Sequence, residues 1–230
     1  MKICIVIPVH NEARAIGSLV QKIKAHSLDV LVIDDGSTDD SGAIAQAQGA
    51  LVLHHEQKQG KGRSLQTGFD YVLKNQYEGL IVMDGDGQHD VGDLDQFLNK
   101  AREDPESVII GTRMHNPSPM PFIRYLTNRV MSWLISRVCH LRIPDTQCGY
   151  RYISSGILRQ LSLTCSDFEI ETEVLMKAVQ KNFPIYSVPI KTIYQNEDSK
   201  INPFRDTLRF ISFFIKEMGR IRASARKMRS

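Results

Sequence analysis

Asp84 and Asp86 stand one residue apart in Asp84-Gly85-Asp86-Gly87-Gln88-His89, directly behind the apolar run 79–83. A buried strand that ends in two carboxylates delivers both to the rim of a sheet, and in open α/β sheets ligands bind at that rim. Two hard oxygen donors flanked by glycines suit Mg²⁺ or Mn²⁺, which share their coordination sphere with substrate phosphates. Gln88 and His89 can complete the metal sphere or hold a carboxylate from behind. The residues point to an enzyme that handles a phosphate ester or diphosphate through a divalent cation.

Other short motifs add to this pair. Pro8-Val9-His10-Asn11-Glu12 closes the first strand; Pro8 cannot donate a ladder hydrogen bond, so the strand should stop there and open to a ligand. Glu12 can accept from a ribose or base, or simply be an acid favoured at a helix start. Asp34-Asp35-Gly36-Ser37 closes the second strand, where a carboxylate can bind a nucleobase or ribose or serve turn and capping chemistry. In Gly60-Lys61-Gly62-Arg63 the glycines let backbone N–H groups approach an anion, and Lys61 adds charge. Arg113 and the turn Asp145-x-x-x-Gly149-x-Arg151 bring further charge to the same rim or form surface ion pairs. Glu169, Glu171 and Glu173 place acids at a helix start. His54 and His55 read as surface or core residues rather than metal ligands.

These motifs are positioned by an alternating first half. Runs 3–9, 28–33, 50–53, 79–83 and 107–111 read as strands, and 16–26, 37–48, 64–75 and 93–102 as helices, the second of them capped by Ser37 or Thr38. Such a βαβα order implies an α/β fold with a mostly parallel central sheet flanked by helices. In the second half, 122–138 reads as a helix, 145–152 as a turn leading into a strand, 169–181 as a helix and 184–193 as extended. Residues 207–218 read as a C-terminal amphipathic helix. No linker divides the 230 residues, so one domain is expected: 1–115 a nucleotide- and metal-binding half, 116–203 an acceptor-side half, 204–230 an amphipathic helix and basic tail.

A net charge of +3 is too small to indicate nucleic acid, and no nucleic-acid partner is expected. The excess is concentrated at the C-terminus, where Lys216, Arg220, Arg222, Arg226, Lys227 and Arg229 face a lone Glu217; such a tail suits an anionic membrane surface or frays into solvent. Phe204, Leu208, Phe210, Ile211, Phe213, Phe214 and Ile215 precede it, and Trp133 lies on the helix 122–138. These apolar residues suit a peripheral membrane contact, a cover for the sheet, or a dimer contact. No apolar run approaches the ~20 residues that cross a bilayer. Met1 leads straight into a strand with no room for a signal peptide. Cys4, Cys139, Cys148 and Cys165 show no C-x-x-C pairing, as expected of reduced thiols. A cytoplasmic protein, peripheral on the cytoplasmic face of the membrane if attached at all, is expected.

Taken in order, PVHNE, VIDDGSTD, KGKGRSLQTG, IVMDGDGQH, IIGTR, DTQCGYR, FEIETE and NEDSKI resemble the family 2 glycosyltransferases of GT-A fold. The closest resemblance is to the dolichol-phosphate mannosyltransferase-like, polyprenyl-phosphate glycosyltransferase branch, across residues 3–203. It implies that Pro8, His10, Glu12, Ile33 and Asp35 line a nucleotide site and that Asp84, Asp86 and Gln88 hold the metal against the donor diphosphate. Gly85 then lies beside the sugar nucleotide. It assigns Arg113 to a phosphate, Lys200 to the diphosphate or acceptor phosphate, and Arg124 and Asn128 to the acceptor. The chain departs from that branch at Tyr194, where an Arg is usual, and at Asn196-Glu197-Asp198, which replaces a Gly before Ser199-Lys200.

The activity so implied is inverting transfer of a sugar from a nucleoside-diphosphate sugar, GDP-mannose or a UDP-sugar, most readily to a polyprenyl or dolichyl phosphate. Transfer to a hydroxyl of a glycan or lipid, or a non-catalytic membrane-associated adaptor, is the alternative. A lipid phosphate is already an anionic nucleophile, whereas a hydroxyl needs a general base, for which Asp145 comes first and Glu169 second. A sugar-nucleotide-forming enzyme would carry a glycine-rich loop where Pro8–Glu12 stands, and an aspartyl phosphatase would carry its D-x-D on the first strand.

Overall fold

The computed structural model describes residues 1–114, 120–165, 169–191 and 193, and residues 1–194 form one compact unit. The expected helix over 207–218, the basic tail, and Ser199-Lys200 lie outside the described residues.

Runs of Ile, Val and Leu produce strands buried on both faces, as a parallel sheet covered by helices requires. β1 (Ile3–Val9), β2 (Asp29–Asp34), β3 (Leu51–His54), β4 (Gly79–Val82) and β5 (Val108–Thr112) fall within two residues of their expected positions. With β6 (Arg151–Ser154) and β7 (Ile185–Pro189) they form, among the described residues, one seven-stranded sheet in the order β3-β2-β1-β4-β6-β5-β7. β1 to β5 and β7 run the same way. β6 runs against both neighbours, pairing Val82 with Arg151 and Ile110 with Arg151 in its two ladders.

That reversal matters for the site. The parallel strands end at one rim, and β6 begins there. The segment leading into β6 is therefore carried to the edge where β4 and β5 release Asp84 and Arg113.

α1 (Ile16–Lys24), α3 (Lys61–Lys74) and α4 (Leu94–Glu103) bury apolar stripes at helical spacing, Ile16, Leu19, Val20 and Ile23 on the first and Leu94, Phe97, Leu98 and Ala101 on the third. Each such side chain, fully buried, contributes roughly 1.5–3 kcal/mol. α2 (Ser41–Ala47) starts later than expected, after Asp40. Ser37 and Thr38 do not cap it. They belong to a turn tied to the end of β1, where the Asn11 amide donates to Ser37 Oγ (3.0 Å) and the Thr38 amide donates to Asn11 Oδ1 (2.8 Å). α3 begins three residues early, because Gly60 at φ +97° turns the chain sharply enough for Lys61 to open the helix.

α5 (Phe122–Cys139) and α7 (Ile170–Gln180) lie in the second half, with a short α6 (Ser155–Leu158) that the sequence did not suggest. α7 anchors the loop before it. The fully buried Glu173 accepts from the amides of Thr164 and Cys165, from Thr164 Oγ1 (2.8 Å) and from Lys177 Nζ (2.6 Å). Burial alone would raise the Glu173 carboxyl, but the Lys177 ammonium and those donors outweigh it and hold the group below its ordinary value. A depressed carboxyl contributes stability above the unfolded-state value that disappears as pH falls through the folded one. Urea midpoints of the wild type and Glu173→Gln are accordingly expected to differ at neutral pH, with the wild type higher, and to converge on acidification; a gap that stays constant with pH would contradict this assignment.

Candidate active site

Asp84 stands just past β4, after Met83, and Asp86 follows it across the buried Gly85, which lies against Val9 and the Pro8 carbonyl. β1 continues to Val9, one residue past Pro8. Pro8 is tolerated because the ladder to β4 has already ended at Val6–Val82, leaving β1 only its β2 neighbour there.

The Asp84 carboxylate is held from three sides. Lys61 Nζ lies 2.5 Å from its Oδ1 and also 3.0 Å from Glu171 Oε1 at the start of α7. Oδ2 faces His89 Nε2 at 3.8 Å. On the remaining side is Gly149, where a Cβ atom would come within 2.6 Å of Oδ2, so only glycine leaves room for the carboxylate. Burial would raise the Asp84 carboxyl, yet the Lys61 charge outweighs it and keeps the group well below the usual carboxylate range. Lys61 is correspondingly raised despite its own burial, by Asp84 and Glu171.

Asp86 behaves oppositely. Burial, the neighbouring Asp84 charge and Glu12 push it up to about 6, while the Gln88 amide donates to its Oδ1 at 2.9 Å. His89 is pushed down to about 4 by burial and is neutral at pH 7. The Asp84 amide donates to its Nδ1 (3.2 Å), which places the ring proton on Nε2 toward Asp84. Tyr150 stacks on the His89 ring at 4.9 Å and Phe97 stacks on Tyr150 at 4.3 Å. His89 thus supports Asp84 from behind.

Do these residues suit a divalent cation? Among the described residues no group of three or more His, Cys, Asp or Glu side chains gathers as a ready-made metal cage. The chemistry of the donor set nevertheless fits: two hard carboxylates at a rim, one with its proton affinity raised by desolvation and a neighbouring negative charge, form a site that favours added positive charge. Asp84 and Asp86 fit Mg²⁺ or Mn²⁺; the Gln88 amide and carbonyl are engaged by Asp86 and Ile193, and its side chain stands half-buried beside them.

The β2 tip takes a different form from a bare ligand surface. Asp35 is buried and accepts from His55 Nδ1 (2.9 Å) and from the amides of Gln59 (2.9 Å) and Gly60 (2.8 Å). Burial opposes its ionisation, but these donors prevail and lower it. The backbone donors ahead of α3, expected to cradle a phosphate, already hold an anion, and it is Asp35. Asp34 forms the expected Asx-type turn to the Ser37 amide (3.0 Å) and meets His54 (3.1 Å), its partner across the β2–β3 ladder. His54 and His55 are therefore partners of the β2 aspartates, a pairing set by strand register.

His10 Nδ1 lies 3.0 Å from the Asp35 carbonyl, and the Glu12 amide donates to Ser41 Oγ at 2.7 Å. Ile33 is fully buried, opposite Pro8 in the ladder. Arg113 follows β5 and grips Asp145 in a bidentate pair, Nε to Oδ2 at 2.7 Å and Nη2 to Oδ1 at 3.0 Å. Asp145 is wholly buried, with a further donor in the Gln147 amide. Glu169 stands at the N-cap of α7. Asn128 is on the buried side of α5, its amide 3.9 Å from Met120 Sδ; Arg124 lies on the same helix.

Of the two readings of its turn, Arg151 rules out the surface ion pair. It is 1% exposed and donates to the carbonyls of Thr146 (2.7 Å), Cys148 (2.7 Å) and Glu171 (2.6 Å). One guanidinium therefore ties the turn that contains Gly149 to the helix start that contains Glu171. Residue spacing brought the turn of Gly149 and Arg151 to the rim as one alternative without naming Asp84 as its neighbour, and it left Glu171 as one of several acids at the start of α7.

The model for glycosyl transferase family 2 matches residues 4–162. The chain belongs to this family. It is 27% identical over 215 residues to the UDP-N-acetylglucosamine–dolichyl-phosphate N-acetylglucosaminyltransferase of Methanococcus voltae, covering 84% of this chain and 86% of that one. It is 28% identical over 205 residues to the undecaprenyl-phosphate mannosyltransferase of Micrococcus luteus, covering 83% of each. The fold is also that of glucosyl-3-phosphoglycerate synthase from Mycobacterium tuberculosis, solved with Mn²⁺, uridine diphosphate and glucosyl-3-phosphoglycerate: TM-score 0.71 at 19% identity, over 95% of this chain and 80% of that one. The GT-A expectation and the prenyl-phosphate branch of the family both hold.

Replacing Arg151 with methionine would strand three carbonyls in a dry interior, and buried bonds to a charged donor are worth about 1.5–3 kcal/mol each. Arg151→Met is expected to lower unfolding free energy by about 3 kcal/mol or more in urea titration. A loss below about 1 kcal/mol would show that the guanidinium does not brace the site.

Proposed function

We propose that this glycosyltransferase moves a sugar from a nucleoside-diphosphate sugar to a polyprenyl-type lipid phosphate, with inversion, using a divalent cation held by Asp84 and Asp86. The observation that carries the reading is the pair of carboxylates at the β4 tip with the cations of Lys61 and Arg113 at the same rim. Bound there, Mg²⁺ or Mn²⁺ supplies Lewis-acid neutralisation of the leaving diphosphate.

The chain's own residues do the rest. His10 and Glu12 at the β1 tip and Asp35 at the β2 tip border the nucleotide, with Pro8 and Ile33 forming the floor beneath it and Gly85 letting the donor lie close to the backbone. Lys61 and, from outside the described residues, Lys200 place positive charge against the diphosphate. Arg113, locked in orientation by Asp145, holds fixed positive charge where a phosphate oxygen develops or retains its own. With both Asp145 oxygens engaged by Arg113, that residue acts as a positioning carboxylate. An acceptor that arrives as an anionic nucleophile needs no base, and a lipid phosphate is such an acceptor. The activities for which the Methanococcus voltae and Micrococcus luteus relatives are named, both on prenyl phosphates, support the same choice. The Mn²⁺ and uridine diphosphate bound by the like-folded synthase support the cation and the donor class.

A lipid acceptor also accounts for α5. Phe122, Ile123, Leu126, Val130 and Trp133 are 75, 77, 50, 48 and 62% exposed on one helix. Arg129 and Arg137 lie within the same stripe at helical spacing. An apolar stripe with a tryptophan and flanking arginines suits the headgroup region of a bilayer. The protein would then work as a peripheral protein at the cytoplasmic face; no helix among the described residues is long and apolar enough to cross the membrane.

Two measurements test the proposal. Incubation with GDP-mannose or UDP-sugars, a short-chain polyprenyl phosphate and Mn²⁺ is expected to yield a glycosyl-phosphoprenol by mass spectrometry, reduced at least ~100-fold in Asp84→Asn/Asp86→Asn; undiminished product in that double variant would defeat the cation assignment. In co-sedimentation with anionic liposomes, Phe122→Ser/Trp133→Ser is expected to lower the bound fraction several-fold. Equal recovery with the wild type would remove α5 from the membrane contact.

A further inference from the structure

Lys61 occupies an unusual position. Its Cα is anchored: Gly60 forces the turn that opens α3, and the loop before it is bolted to β2 by Asp35 through the amides of Gln59 and Gly60, with His55 bridging Asp35 and Thr67 of α3. From this fixed base the side chain reaches across the rim, is only 16% exposed, and sets its ammonium between Asp84 Oδ1 at 2.5 Å and Glu171 Oε1 at 3.0 Å. The other Asp84 oxygen is walled by Gly149 and His89. The Asp84 oxygen that opens to the rim is therefore already taken by a cation that belongs to the chain.

A divalent ion ligated by Asp84 sits about 2.0–2.6 Å from its oxygen. An ammonium on the same oxygen would then be separated from it by little more than a contact distance, and the repulsion of a double and a single positive charge at that range in a partly desolvated site is large. Sharing Asp84 Oδ1 therefore sets the two cations against each other. That repulsion drives Lys61 off as the ion arrives, and the displaced ammonium keeps Glu171 beside it and is stabilised by an anion in front. A nucleoside diphosphate provides one.

We propose that Lys61 is a tethered counter-ion that neutralises Asp84 in the ligand-free protein and is transferred to the diphosphate when the divalent cation takes its place, with Glu171 as the positioning residue that keeps it within reach of both. This rests on the reading of Asp84 and Asp86 as the cation's ligands. Its consequence is that cation and nucleotide bind as a coupled pair: the cation alone meets an occupied oxygen, and together with the nucleotide it exchanges partners with Lys61.

The test measures Mn²⁺ binding directly, by the electron paramagnetic resonance signal of free Mn²⁺, on the full chain with and without UDP or GDP. The wild type is expected to bind Mn²⁺ weakly alone and about tenfold or more tightly with one of the nucleotides. Lys61→Met is expected to bind Mn²⁺ alone at least ~10-fold tighter than the wild type and to lose most of the nucleotide-induced gain. Arg63→Met serves as the charge control. It removes the same charge from the same turn of α3, but its guanidinium bonds Gln66 and not Asp84. It is expected to stay within about twofold of the wild type, as a screened surface charge should. Lys61→Met binding no tighter than Arg63→Met overturns the exchange. A wild type that binds no Mn²⁺ with either nucleotide fails earlier and takes the cation site down with it.

A second measurement does not depend on the folding of Lys61→Met. In wild-type protein labelled with ¹³C and ¹⁵N lysine, the Lys61 ammonium, assigned by its loss in Lys61→Arg, is expected to shift when Mg²⁺ and nucleotide are added together. A resonance that stays in place while the pair binds overturns the proposal.

Discussion

Carboxylates crowded onto one sheet edge repel one another, and such a cluster stays ionised only with positive charge interleaved among them. Everything at this rim answers to that constraint. Asp84, Asp86, Glu12 and Glu171 come from three different parts of the chain, and Lys61 and Arg113 stand among them. The response is uneven, and the unevenness is informative. Asp84 has the ammonium and is held deprotonated, whereas Asp86, left with its neighbours' negative charge and little water, is pushed up to about 6. One carboxylate is satisfied by the protein, and its neighbour bears the unrelieved repulsion. Under the proposed function, that asymmetry suits a cation that arrives with an anionic nucleotide.

The architecture serves this arrangement by stiffening everything around it. Asp35, a residue the family resemblance gives to the nucleotide, also acts inward: its carboxylate is the anion that orders the loop before α3, and so it sets the base from which Lys61 reaches. Arg151 does the corresponding work on the far side. A buried guanidinium satisfied by three carbonyls fixes two backbone segments at once and, among the described residues, does so without an ion pair. Asp145 orients Arg113 in the same manner. These residues touch other residues of the site more than open solvent, consistent with a site whose charges are positioned before a substrate binds.

Much of this was legible from residue order. The strands of the first half were marked by apolar runs of the right length, and the tips by acids, Pro8 and glycines, because a parallel strand buried on both faces has little freedom of composition. Element starts were less readable. Ser37 and Thr38 have the chemistry of helix caps, yet they are spent on Asn11 across a neighbouring loop, and Gly60 rather than a polar cap opens α3. Local signals of this kind name a residue's capability without naming its partner.

That Asp84, Asp86 and Lys61 would stand at strand and helix ends on one rim was readable from the sequence, since a carboxylate pair behind a buried strand and a lysine between glycines have few structural uses. That Gly149 lies against Asp84, that Glu171 shares Lys61 with it, and that Arg151 braces both segments from behind was decided only by tertiary structure. The physical reason is the insertion of β6 antiparallel between β4 and β5: the turn before it must begin at the rim where its neighbours end, which brings residues more than sixty positions distant against Asp84. Sequence spacing has no access to strand order, and in this protein strand order completes the site.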